Sequence, residues 1–247
     1  LVRRLLNQEN SEATVITRGT TYENAGNLPR RFFDAIEEEF SGTQLARQEI
    51  CGDFLDDIEG ALWSRGLLET VRKTGEAPDY KRTIVAVDPP VSSKGDECGI
   101  IIAALGQDGI ARVLADCSLA NAAPGQWANA VSIAAREWNA DRVVAEANQG
   151  GAMVESVLRA ADENLPVKLV HASRGKAARA EPVAALYTAG RVRHRGTFAR
   201  LEEQLCGLMT AGEYVGPGRS PDRAEALVWA LTELMLGPAA RPRVRAI

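Results

Sequence analysis

Three carboxylates in this sequence stand where acidic side chains can do chemistry. Asp88 directly follows the apolar run TIVAV and precedes Pro89-Pro90. Glu146 ends VVAE and leads into ANQGG, and Asp222 opens the apolar segment DRAEALVWAL after Ser220-Pro221. An acid at the carboxyl end of a buried strand lies where α/β sheets build their sites. Two such acids leaving neighbouring strands would repel unless a cation sat between them. Gly150 and Gly151 would let backbone or substrate come close. Each acid also has a plainer reading: Asp88 as a turn-opening residue before proline, Glu146 as a polar strand end, and Asp222 as a first-turn acid on a helix dipole, with Ser220 as the cap. Glu225, one turn beyond Asp222, is an extra ligand or a decoy. Asp96, in SSKGDECGI, is a supporting or substrate-side residue, as is Glu97. Oxygen ligands without a His or Cys partner point to Mg²⁺ or Mn²⁺ rather than zinc. Two such ions bridged by shared carboxylates suit phosphodiester hydrolysis, one at the attacking water and one at the leaving oxygen.

The charge distribution bears on the substrate. The 247 residues carry a formal net charge of -4, which alone argues against a nucleic-acid binder. Residues 168 to 200, however, hold eight Lys and Arg against the single acid Glu181, a net of +7, and leave -11 for the rest. Lys176, Arg179, Arg191, Arg193, His194 and Arg195 lie in this stretch. A basic segment in an acidic chain suggests a localised anion-binding face, although scattered arginines on solvated helices would read the same way. His194 is more readily a phosphate contact or a structural residue than a general base. His171, at the end of a strand, is placed to orient something at the site.

Absent motifs narrow the field. There is no GxxxxGK[ST] loop, since SRGKAAR lacks the leading glycine and the hydroxyl after lysine. No GxSxG elbow or strand-following GxGxxG is present. Cys51, Cys98, Cys117 and Cys206 are far apart and suggest neither a zinc knuckle nor a disulfide scaffold, so a reducing, cytoplasmic setting is expected. No apolar run is long enough to span a membrane. The opening LVRRLLNQENSEATV has no signal-peptide core and no initiator Met, as an excised or processed piece would.

The elements that must position the acids follow from hydrophobic pattern. ATVIT (13–17) is a strand candidate, RGTTYENAGNLP a loop, and RRFFDAIEEEFSG a helix behind Pro29. A short helix covers about 43–50, GDFLDD is a strand or edge segment, and ALWSRGLLETVRKTGEAPDY reads as an irregular connector. From residue 82 the pattern is regular. RTIVAVD, CGIIIAALG and IARVLADCS are strands, the last two joined through the turn signal Asp108-Gly109. Helix PGQWANAVSIAAREWN, strand DRVVAE, helix GGAMVESVLRAA, strand PVKLVHA, helix GKAARAEPVAALYTAG, strand RVRH and helices FARLEEQLCGLM and SPDRAEALVWALTELML follow. The first three strands should pair antiparallel and the later ones parallel, with helices on both faces of a mixed α/β sheet.

The segments TIVAVDPPVSSKGDECGIIIAAL, DRVVAEANQGGAMV, GKAARAEPVAALYTAGRVRH and SPDRAEALVWAL together resemble the nuclease domain of the large terminase subunit, the DNA-packaging protein of tailed phages and gene transfer agents. VITRGTTYENAGNLPRRFF resembles the end of that family's ATPase domain, and GDFLDDIEGALW its linker. The resemblance implies a ribonuclease H-like fold over residues 80–247, preceded over 1–79 by the tail of an ATPase domain and a linker. It implies Asp88, Glu146 and Asp222 as catalytic metal ligands for Mg²⁺ or Mn²⁺, with two ions expected. It further implies cutting of double-stranded DNA during packaging, with an upstream ATPase domain, a portal protein and a small terminase subunit as partners. The setting would be the cytoplasm of a bacterial host, transiently docked on the procapsid. The basic stretch would face DNA, on charge rather than on any motif. The competing readings are a DNA-binding or motor-docking module that does not cut, and another ribonuclease H-like enzyme such as a junction resolvase.

Overall fold

The computed structural model describes residues 17, 19–40, 43–52, 57–73, 79–90, 97–148 and 150–237. Most of the strand expected at 13–17, and all of 53–56 and of Asp96, lie outside the described residues. The chain divides into two compact units, Leu1–Asp56 and Asp57–Ile247.

In the first unit the expected loop at 21–27 is a 3-10 helix, Thr21–Asn27, because the Thr20 hydroxyl accepts the Glu23 N–H and caps it. Helices α1 (Arg30–Phe40) and α2 (Gln44–Cys51) follow. Thr43 caps α2 by accepting the Ala46 N–H at 3.1 Å, and Gly52 ends it at φ +66°.

The second unit begins earlier than residue 80. The segment expected to be an irregular connector contains helix α3 (Arg65–Val71), capped by Ser64 accepting from the Leu67 N–H. Trp63, Leu68 and Val71 are about 1% exposed and pack in the same core as the sheet. Helix α3 therefore folds with the sheet.

Among the described residues, seven strands form the sheet: β1 (Tyr80–Asp88), β2 (Glu97–Gly106), β3 (Ala111–Asp116), β4 (Leu119–Ala120), β5 (Arg142–Glu146), β6 (Val167–Val170) and β7 (Val192–His194). The order is β6-β5-β1-β2-β3-β7, with β4 paired to β2. β1, β2 and β3 pair antiparallel, while β5 joins β1, β6 joins β5 and β7 joins β3 in parallel. This is the mixed pattern expected of a ribonuclease H-like fold. Helices α4 (Pro124–Glu137) and α5 (Gly151–Ala161) cover one face, over Val85, Val87, Ile100, Ile102, Val143 and Ala145. Helices α6 (Lys176–Thr188), α7 (Ala199–Cys206) and α8 (Asp222–Leu231) cover the other, over Ile84, Ala86, Ile101, Ala103 and Val144. Residues Thr232–Leu236 continue α8 as a π-helix.

Strand side chains alternate between faces. Asp88 keeps the parity of Ile84 and Ala86, and Glu146 that of Val144. Both acids therefore leave the sheet on the side covered by α8. The parallel register pairs Val87 with Ala145, which sets Asp88 and Glu146 side by side at one sheet end.

Candidate metal centre

Helix α8 supplies the remaining acids. It lies across β1 and β2, and Asp222 and Glu225 occupy its first turn, three residues apart and so on one face. That approach depends on Gly99, which pairs with Asp88 across the sheet. A Cβ at Gly99 would lie 2.0 Å from the backbone oxygen of Asp222. Only a residue without a side chain lets the helix start rest on β2 beside Asp88.

The helix start is anchored from two sides. Gln204 Oε1 accepts the N–H groups of Arg223 and Ala224, at 2.9 and 3.2 Å, satisfying donors that the helix leaves open. The Arg223 guanidinium, 6% exposed, binds Asp116 Oδ2 at 2.6 Å and both oxygens of Glu97 at 2.8 and 3.1 Å. Burial pushes the Glu97 carboxyl up, but the Arg223 bonds outweigh it and hold the group below the usual carboxylate range. The Glu97 N–H in turn donates to Asp222 Oδ2 at 3.1 Å.

Asp88, Glu146, Asp222 and Glu225 are each 7 to 9% exposed. One carboxylate oxygen from each of Asp88, Glu146 and Glu225 lies within 4.8 Å of the other two. That group does not include Asp222, which sits beside it with a carboxylate oxygen turned to the Glu97 N–H. Asp222 is still near enough for its charge to act on Asp88. Burial, and then repulsion by Glu225, Glu146 and Asp222, holds the Asp88 carboxyl well above its ordinary range. Glu225 is raised as well, by burial and by Glu146, against the pull of Lys176 and Arg179. Burial first, and then like-charge crowding, hold protons on Asp88 and Glu225, and a divalent cation relieves that crowding. The all-oxygen donor set fits a hard ion of the Mg²⁺ or Mn²⁺ type.

Further side chains hold the acids in place. Glu146 Oε1 accepts from Asn148 Nδ2 at 2.6 Å, while Asn148 Oδ1 accepts the Ala172 N–H at 2.7 Å. Glu146 Oε2 accepts the Trp229 indole N–H at 2.5 Å and Arg179 Nη1 at 3.3 Å. Arg179 Nη2 reaches Glu225 Oε1 at 3.2 Å, and Lys176 Nζ lies 3.5 Å from the same oxygen while donating to Ser220 Oγ. Sequence reasoning passed over Asn148, Trp229, Gln204, Arg223 and Gly99. Trp229 alone carried a periodic signal, four residues after Glu225 on the same helix face.

The basic stretch divides. Lys176 and Arg179 turn to the acids, and Lys168 pairs with Glu233 at 2.6 Å. Arg191 and Arg195 are exposed just before and just after edge strand β7, with Arg193 partly exposed between them. His194 is 0% exposed, which corrects the expectation that it touches DNA. Its ring nitrogens bond the Tyr187 hydroxyl at 2.8 Å and Glu202 Oε1 at 3.0 Å, and Arg72 pairs with Glu202 in turn. On a strand, alternation turns His194 inward with Val192 when the arginines face out.

Residues 85–234, more than half of the chain, match the family model described as the terminase RNaseH-like domain. The chain belongs to this terminase family. The large terminase nuclease of thermophilic phage G20c is 15% identical to it, covers 70% of this chain and 98% of its own, and superposes at a TM-score of 0.54. The same phage nuclease with bound cobalt superposes at 0.55, at 14% identity and with coverage of 71% of this chain and 98% of its own. The large terminase of bacteriophage HK97 covers 86% of this chain, at 15% identity and a TM-score of 0.51. This chain spans only 49% of that HK97 protein. At such identities the likeness speaks for the fold. No protein of curated function matches the sequence.

Proposed function

We propose that this terminase-family chain is a metal-dependent endonuclease that cuts double-stranded DNA during genome packaging. The observation that carries the reading is the convergence of Asp88, Glu146 and Glu225 within 4.8 Å at the end of the sheet. Family membership and a family fold surround that convergence. Asp88, Glu146 and Glu225 would hold the ions, Mg²⁺ or Mn²⁺ and two in number, with Asp222 at the margin. The resemblance of the segments favours Asp222 as the third ligand, while the distances favour Glu225. The bound ions would supply the positive charge that two-metal hydrolysis needs at the attacking and leaving oxygens. Asn148 and Trp229 orient Glu146. Gln204, Arg223 and Glu97 fix the start of α8 and thereby the reach of Asp222 and Glu225. The exposed Arg191, Arg193 and Arg195, with Lys176 and Arg179 nearer the acids, would take the phosphate backbone, a contact that carries no sequence information.

Residues 1–79 would supply the tail of an ATPase domain and a linker, the part from Asp57 onward belonging to the same compact unit as the sheet. The upstream ATPase domain, the portal protein and the small terminase subunit would be the partners, on a procapsid in the host cytoplasm. No helix among the described residues is long and apolar enough to cross a membrane. Incubation with supercoiled plasmid and Mn²⁺ or Mg²⁺ tests the reading. Metal-dependent nicking that Asp88→Ala abolishes is expected. Absence of nicking, with DNA still bound, would favour a docking module instead. Cutting confined to branched DNA would favour a resolvase-like enzyme.

A further inference from the structure

Arg179 stands apart from the other basic residues. It comes from the first turn of α6, and its side chain is 12% exposed. Its two terminal nitrogens reach two different carboxylates, Glu146 at 3.3 Å and Glu225 at 3.2 Å. Its guanidinium carbon lies 5.0 Å from the centre of the Trp229 ring, the same ring whose N–H donates to Glu146. Its Nε is buried and has no hydrogen-bond partner among the described residues. These contacts to both carboxylates are long for charge-assisted bonds, which run at about 2.7–2.9 Å. The side chain thus bridges two members of the acid group without saturating either, at the cost of one unsatisfied donor.

We propose that Arg179 is a positioning residue that substitutes for a divalent cation in the metal-free site, and that metal binding displaces it from Glu146 and Glu225. The inference rests on the metal-centre reading above. Three crowded carboxylates need a counter-charge to stay at ligand spacing, and Arg179 supplies one and holds the spacing before an ion arrives. An arriving divalent ion meets a fixed positive charge at the same two carboxylates, so Arg179 also lowers the site's affinity for it. Once displaced, the guanidinium is released from the acids as a fork that matches a phosphodiester's oxygens.

The test compares wild type with Arg179→Met and Arg179→Lys at one fixed, mildly alkaline pH. Calorimetric titration with Mn²⁺ should give binding about tenfold tighter in Arg179→Met, equivalent to about 1.4 kcal/mol. The metal-free melting temperature of that variant should fall, and its rise on adding Mn²⁺ should exceed that of wild type. Arg179→Lys, which keeps the charge, should stay close to wild type. A purely structural role would lower metal-free and metal-loaded stability equally and leave affinity unchanged, and either result overturns the proposal. Should Arg179→Met fail to fold, wild type supplies the second readout. Mg²⁺ should change the Trp229 emission, isolated by difference from Trp229→Phe, as the cation leaves its ring; Mg²⁺ binding without that change overturns displacement. If wild type binds neither ion, the metal-centre reading itself fails, which is distinct from wild-type binding that Arg179→Met leaves unchanged.

Discussion

Gly99→Ala is the substitution whose effect the backbone geometry determines most directly. The new Cβ would lie 2.0 Å from Asp222 O, 2.5 Å from Asp222 C and 3.1 Å from Arg223 N. All three are backbone atoms, so no rotamer change relieves the clash. Ordinary contact begins near 3.4 Å, so β2 and the start of α8 must separate by about 1.4 Å, a small-to-large strain costing about 1–3 kcal/mol. For a domain of this size that lowers the melting temperature by about 2–4 °C per kcal/mol. The functional cost should be larger. Asp222 and Glu225 ride on the displaced turn, and a misplacement of about 1 Å can cost on the order of a hundredfold in rate. The assay pairs a melting curve with Mn²⁺-dependent plasmid nicking. Gly125→Ala is the control: Gly125 sits in the first turn of α4 with nothing within 4 Å of a built Cβ, and should be neutral or slightly stabilising. Wild-type stability and activity in Gly99→Ala would refute the claim that this close approach sets the site.

Other outcomes follow from the same geometry. Asp88 has a folded-state pKa raised by burial and by Glu225, Glu146 and Asp222, so its contribution to metal-free stability is full below the ordinary carboxylate pKa and is lost as pH rises through the raised value. Metal-free melting temperature should therefore decline over that window, the decline should flatten in Asp88→Asn, and saturating Mn²⁺ at about 100 times its dissociation constant should add about 2.7 kcal/mol to wild type alone. Arg223→Met strands Asp116 and Glu97, and denaturant titration should show a loss of about 3–5 kcal/mol, the scale for removing one partner of a buried pair. His194→Leu removes both ring bonds, to Tyr187 and Glu202. It should lower stability by about 1–3 kcal/mol, while gel-shift affinity of the folded fraction for duplex DNA stays at the wild-type value.

The strand-end acids were legible in the sequence because periodicity reveals both where a buried strand stops and which face its last residue takes. Asp88 and Glu146 obey that rule. The choice between Asp222 and Glu225 was not legible. Both sit on one helix face, and which one enters the acid group depends on how closely α8 approaches β2. That distance is set by a backbone contact at Gly99, which no hydrophobic pattern reports. Helix α3 escaped notice because seven residues containing Gly66 give a weak periodic signal, and its stability comes from Leu68 and Val71 packing in the core. The choice for His194 between a phosphate contact and a structural role stayed open because charge counting averages over a strand, whereas burial alternates along it.

The central claim is that Asp88, Glu146 and Glu225 hold a divalent cation. Anomalous diffraction from crystals grown with Mn²⁺ tests it most directly. A peak is expected at ligand distance from one oxygen of each of these three residues, with Arg179 moved off Glu146 and Glu225. A peak held by Asp88, Glu146 and Asp222, with Glu225 still bonded to Arg179, would contradict it.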